Sequence, residues 1–236
     1  MIKTAFASSI GRVRETNQDF VKVFKNQNNI IMGIVCDGMG GHQGGDVAST
    51  MAVSHLGHNF EKTDFTDPDL AQKWLTVQLR LENETILNTA DRFSDLNGMG
   101  TTIVLAIAFT EKILIAHLGD SRCYLYGGNE FKQITEDHSL VHELVKMGQI
   151  TEQQARNHPQ KNIITETLGV SSTVNPEFDI LEVHAGDIFL LCTDGLTNSL
   201  TDPQIQQILA TKNLSLKERC NCLLYTSDAA DEGLGV

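Results

Sequence analysis

Residues 29–37 read NIIMGIVCD, and residues 38–45 continue GMGGHQGG. A short apolar run rich in isoleucine and valine that stops at turn-forming residues reads as a buried strand. Runs of the same kind recur as IKTAFAS (2–8), DFVKVFK (19–25), TTIVLAIAF (101–109), KILIAHLG (112–119), RCYLYG (122–127) and DIFLLC (187–192). Two longer segments, about 45–60 and 69–93, read as helices, the second announced by Asp67-Pro68. Strands adjoin strands at both ends of the chain, with the two helices between them. That order predicts the α+β class, antiparallel sheets covered by helices, and not a βαβ alternation. Residues 137–169 break the pattern. They are polar, helical at first, then irregular around His158-Pro159, and read as a flap inserted between strands.

Three of the apolar runs lead into an aspartate followed by a small residue: Asp37-Gly38, Asp120-Ser121 and Asp194-Gly195. One such pair is an ordinary turn signal. Three together have another consequence, because strands of one sheet that end level would bring three carboxylates to one rim. Such a cluster repels itself unless cations bind it. Oxygen-only ligands of this kind suit Mg²⁺ or Mn²⁺ better than zinc. After Asp37 the chain is glycine-rich, which permits sharp bends and close backbone approach to a ligand. No lysine-serine or lysine-threonine pair follows, so this is not a Walker loop. Near the N-terminus, Arg14-Glu15-Thr16-Asn17-Gln18-Asp19 offers an arginine suited to bidentate phosphate binding.

Composition bounds the remaining possibilities. The 236-residue chain is 41% hydrophobic and 20% charged, as an ordinary globular protein is. It has no apolar run near the roughly 20 residues a bilayer requires, and no signal-peptide pattern opens it. A cytoplasmic location and no membrane partner are therefore expected. The cysteines fit no zinc or disulfide spacing, and Cys36, Cys123 and Cys192 are expected to be reduced core residues. A net charge of −12 argues against nucleic acid and requires that any bound phosphate be neutralised locally.

Taken in order, R-x-x-N-Q-D (14–19), C-D-G-M-G-G (36–41), G-M-G-T-T (98–102), G-D-S-R (119–122) and T-D-G-L (193–196) resemble the bacterial form of the metal-dependent protein phosphatases of type 2C. The match in order and spacing runs over about residues 1–220. The resemblance implies a β-sandwich of two antiparallel sheets flanked by helices, a four-layer αββα arrangement carrying the flap. It also implies hydrolysis of phosphoserine and phosphothreonine on proteins by a metal-activated water, with two Mn²⁺ or Mg²⁺ ions. In that scheme Asp37 bridges both ions, the Gly38 carbonyl ligates one, Asp194 holds the second and Asp120 serves a third. Asp19 holds water behind the ions and Arg14 grips the substrate phosphate. Phosphoprotein substrates, including a bacterial serine/threonine kinase, and a monomeric state are the implied partners and assembly.

Two departures from the family pattern stand out. Where animal members carry a histidine after the Asp-Gly pair, this chain has Met39, leaving His42 as a candidate general acid. The closing Asp-Asn-x-[Thr/Ser] strand motif has no counterpart after Leu196. Residues 222–232 resemble a translated sequencing adapter, so the catalytic domain is expected to span 1–221 without its terminal strand, followed by a non-native tail over 222–236. A catalytically impaired binding module of the same fold is the alternative that this absence favours. A calcium module is disfavoured, because the EF-hand pattern does not occur.

Overall fold

Strand β1 (Asp19–Lys25) turns through Asn26–Ile30 into β2 (Ile31–Met39), and the antiparallel register sets Asp19 directly opposite Asp37. The computed structural model describes residues 2–11, 16–41, 44–128 and 130–233. From β2 the chain enters helix α1 (Gly44–Glu61) and then α2 (Pro68–Arg92). Asp67 caps α2, its side chain accepting from the amides of Asp69 and Leu70, with Pro68 in the first turn. Next come β3 (Gly100–Thr101), β4 (Ile103–Ala108), β5 (Lys112–Leu118), β6 (Arg122–Gly127) and β7 (Glu130–Gln133). The flap carries α3 (Leu140–Lys146) and α4 (Glu152–Arg156). The chain continues with β8 (Glu177–Glu182), β9 (Ile188–Cys192), α5 (Asp194–Thr197), α6 (Asp202–Ala210) and α7 (Leu216–Gly233).

Among the described residues, one sheet runs β1-β2-β4-β5-β8 with β3 attached to β2, and a smaller one runs β7-β6-β9; every pairing is antiparallel. Three apolar clusters define the layers. Met32, Ile34, Leu105 and Leu114 of the large sheet pack against Val53, Leu56, Leu75 and Leu79 of α1 and α2. Val104, Ile115 and Cys123 meet Val35, Phe189 and Leu191 between the two sheets. Tyr124 and Cys192 of the small sheet pack against Leu196, Ile205, Leu209 and Leu223 of the last three helices. The order helix, sheet, sheet, helix is the expected αββα sandwich. Cys36, Cys123 and Cys192 are buried free thiols, each with its pKa pushed up by burial.

The structure corrects several details. IKTAFAS forms no strand: residues 2–10 are irregular, and Ile2, Phe6 and Ile10 stay exposed because no neighbour completes a ladder with them. Strand β2 does not stop before Asp37 but runs on to Met39, since β3 pairs Gly38 with Thr101. β7 and β8 did not stand out in the sequence, because EFKQ and EFDILE alternate charged with apolar residues, as edge strands do. Apart from these corrections, helix α7 buries Leu223 and Ser227, the Ser227 hydroxyl donating to the Gly195 carbonyl at 3.1 Å. Among the described residues no helix is long and apolar enough to cross a membrane.

Candidate metal centre

Asp37 is fixed by its backbone from both sides. Its amide donates to Thr102 Oγ1 at 3.1 Å, and its carbonyl accepts from the Thr102 amide and from Thr101 Oγ1, each at 2.9 Å. Gly38 is confined between β1 and the start of α1. A Cβ there would collide with the carbonyl oxygens of Gly45 and Gln18, so only glycine fits beside the aspartate. Asp120 follows β5, and the next residue, Ser121, shares a hydroxyl–hydroxyl bond of 2.7 Å with Thr102. Asp194 opens α5 after β9, and one of its oxygens accepts from Asn198 Nδ2 at 2.9 Å. The two sheets meet where Thr193 Oγ1 donates to Asp19 Oδ2 at 2.8 Å.

The rim therefore draws on both sheets. Asp19, Asp37 and Asp120 come from the large sheet or its ends, while Asp194 follows the small sheet. The level strand ends of a single sheet expected from the sequence are replaced by a convergence across the sandwich. Thr101 and Thr102 hold the Asp37 backbone, and Thr193 and Asn198 hold the Asp19 and Asp194 carboxylates, without having stood out as site residues. Their signal was present in G-M-G-T-T and in the residues flanking T-D-G-L. Arg14 and His42 lie outside the described residues.

Electrostatics define what this rim lacks. Burial, then the charges of Asp19, Asp194 and Asp120, push the Asp37 carboxyl up to about 9. Asp120 is pushed up to about 7, by burial first and then by Asp194 and Asp137, with Arg122 pulling the other way. Asp120 Oδ1 is buried with no hydrogen-bond partner. Buried acids crowded together, one with an orphaned oxygen, and only oxygen donors: this set fits a hard divalent cation such as Mg²⁺ or Mn²⁺. A cleft of about 440 Å³, lined by Phe6, Asn17, Asp19, Phe20 and Asp46, opens beside Asp19.

A second group, His117, His138 and Glu177, places potential ligand atoms within 4.8 Å of one another. Its hydrogen bonds argue against an ion. His138 Nδ1 accepts from the Gly119 amide at 3.3 Å, which leaves its ring proton on Nε2, toward Glu177. His117 Nε2 donates to the Glu136 carbonyl at 2.8 Å. A ligating histidine donates from its far nitrogen, which His138 cannot do while its Nδ1 accepts, so this trio is a polar clasp between β5, β8 and the flap root.

The fold and the acidic rim together describe a metal-dependent phosphatase sandwich, and comparison with known proteins agrees. Residues 9–228 match the protein phosphatase 2C family model. The serine/threonine phosphatase Stp of Listeria welshimeri is 42% identical over 225 residues, covering 95% of this chain and 89% of that protein. Protein phosphatase PhpP of Streptococcus pneumoniae is 37% identical, covering 97% and 92%. Among solved structures, the S. agalactiae serine/threonine phosphatase superposes with a TM-score of 0.92 at 38% identity, covering 96% and 93%. The catalytic domain of the phosphatase PstP in complex with two manganese ions does so with a TM-score of 0.81 at 32% identity, covering 93% and 88%. The chain belongs to the protein phosphatase 2C family.

Proposed function

We propose that this chain hydrolyses phosphoserine and phosphothreonine on proteins at a binuclear Mn²⁺ or Mg²⁺ centre, opposing a serine/threonine kinase. The observation that carries the reading is the Asp37 carboxyl, which burial first and then the neighbouring Asp19, Asp194 and Asp120 push far above the ordinary carboxylate range. Asp37, Asp194 and the Gly38 carbonyl are assigned to the two ions and Asp120 to a further one, with Asp19 behind them. When bound, divalent cations supply Lewis-acid activation of a water and neutralise charge on the phosphoryl oxygens. The chain's own task is placement. Thr101 and Thr102 hold Asp37, Asn198 orients Asp194, and Arg14 is assigned to the phosphate by its motif. Cys36, Cys123 and Cys192 take no part, since burial keeps them protonated. The flap, beside the rim, is assigned to contact with the phosphoprotein.

The test is phosphate release from a phosphothreonine peptide with Mn²⁺, with a chelator, and in the Asp37→Asn variant. Release that depends on Mn²⁺ and falls by at least about 100-fold in the variant is expected, a loss of at least ~2.7 kcal/mol of transition-state stabilisation. A variant as active as the parent would rule the reading out.

A further inference from the structure

Arg122, two residues beyond Asp120, makes the most elaborate polar contacts beside the rim. Its Nε donates to Asp137 Oδ1 at 2.8 Å and its Nη2 to Asp137 Oδ2 at 2.6 Å, a bidentate fork. Its remaining arm, Nη1, donates to the Tyr124 hydroxyl at 2.9 Å, and that hydroxyl donates to Asp202 Oδ1 at 3.3 Å. Gln133 Nε2 also donates to Asp137 Oδ1, at 2.9 Å. Both charged partners are largely buried, with side-chain exposures of 23% and 12%.

What the fork joins gives it meaning. Asp137 is the first residue of the flap. Its neighbour His138 pairs by backbone and ring with Gly119, the residue before Asp120: the His138 amide donates to the Gly119 carbonyl at 3.0 Å, and the Gly119 amide donates to His138 Nδ1 at 3.3 Å. The Gly119-Asp120-Ser121 turn is thus held on one side by Thr102 and on the other by the flap root, and Arg122 locks that root in place. On the far side, Arg156 of flap helix α4 lies 4.0 Å from Asp202 Oδ1, the acid that Tyr124 reaches. The Arg122 network therefore meets the flap at its root and at its second helix.

We propose that Arg122 is a positioning residue that, through Asp137, sets both the cation affinity at Asp120 and the flap's discrimination among substrates. This rests on the assignment of Asp120 to a cation and of the flap to phosphoprotein contact. Lysine keeps the charge but presents a single ammonium, so it cannot reproduce the planar fork.

The experiment uses Arg122→Lys, Asp137→Asn and the double variant, with Mn²⁺ binding read by calorimetry alongside two rates, on a phosphothreonine protein and on a small aryl phosphate. Thermal unfolding in chelator confirms that each variant is folded. In Arg122→Lys the weakest Mn²⁺ step is expected to loosen about three- to tenfold, on the scale of one ordinary hydrogen bond. The ratio of phosphoprotein to aryl phosphate turnover should shift by a similar factor, and Asp137→Asn should reproduce both effects. The double variant should lose no more than either single variant, as expected for partners in one interaction. Should Arg122→Lys not fold, Asp137→Asn alone carries the test. Unchanged Mn²⁺ affinity and an unchanged ratio in a folded variant overturn the positioning role while leaving the metal centre standing. A parent chain that binds no Mn²⁺ overturns both.

Discussion

Asp37 combines burial in the interior of β2 with three acidic neighbours, and this fixes the sign of its effect on stability. In the unfolded chain it titrates near the ordinary value of about 3.9. In the folded, metal-free protein it keeps its proton up to about 9. Between these values the folded state holds more protons than the unfolded state, so its stability falls as pH rises through the window. Asp120, pushed up to about 7, adds to the same trend over the lower part. Asn at position 37 keeps the shape and cannot ionise. In chelator, Asp37→Asn is therefore expected to unfold at a higher temperature than the parent at pH 8, with the difference shrinking toward pH 4. Unfolding scans over that range check this, and a gap that stays constant or reverses contradicts it. Mn²⁺ titration by calorimetry should in turn show Asp37→Ala losing more affinity than Asp120→Ala, because Asp37 is assigned to two ions.

The flap is the element whose anchoring is most specific. Its far end is tied to α2 by Asn83, fully buried, whose Nδ2 donates to the Ser171 carbonyl at 2.9 Å while its Oδ1 accepts from the Gly169 amide at 2.7 Å. Gly169 has a φ of +86°, and a Cβ there would run into Ile86 and the Met99 carbonyl. Leu168 exchanges backbone hydrogen bonds with Thr101, which also holds Asp37. Asn83→Ala would strand the buried Gly169 amide and remove a partner from the Ser171 carbonyl, and is expected to cost about 1–3 kcal/mol, measured by urea unfolding. Shortening the flap between its roots should change phosphoprotein turnover relative to aryl phosphate turnover. If both rates fall together, the flap is scaffold. Elements with dense apolar runs, such as β2, β4, β5 and the two long helices, were legible in the sequence. β8 was not, because EFDILE shows its pairing with β5 only once β5 is placed. IKTAFAS misled for the opposite reason: it carries strand-like residues without a neighbour to pair. The three aspartate-small residue pairs lead to acids that lie near one another in the folded chain. Which sheet each belongs to depends on non-local pairing, and no local pattern encodes that.

At the scale of the whole molecule, the acidic rim is a seam. Asp37 belongs to the large sheet, Asp120 lies in the turn from β5 of the large sheet to β6 of the small one, Asp194 follows the small sheet, and the sheets otherwise meet through an apolar layer around Val104, Ile115, Cys123 and Phe189. Cations shared among these carboxylates would bridge the two halves of the sandwich and relieve their repulsion in a chain of net charge −12. Binding to the folded state alone stabilises by about 2.7 kcal/mol per site at 100 times the dissociation constant. For a chain of this length each kcal/mol raises Tm by about 2–4 °C, so one saturated site is worth about 5–11 °C. General screening of the negative charge would also stabilise the fold, and has to be separated from site binding. The comparison is Tm in Mn²⁺ against Tm in sodium chloride of equal ionic strength, for the parent and for Asp194→Asn. The parent should gain several degrees more in Mn²⁺, and the variant should lose most of that excess because its bridge to the small sheet is weakened. Equal gains in the two salts would show that the seam is stabilised by screening alone, and that the carboxylates from the two sheets do not act as one site.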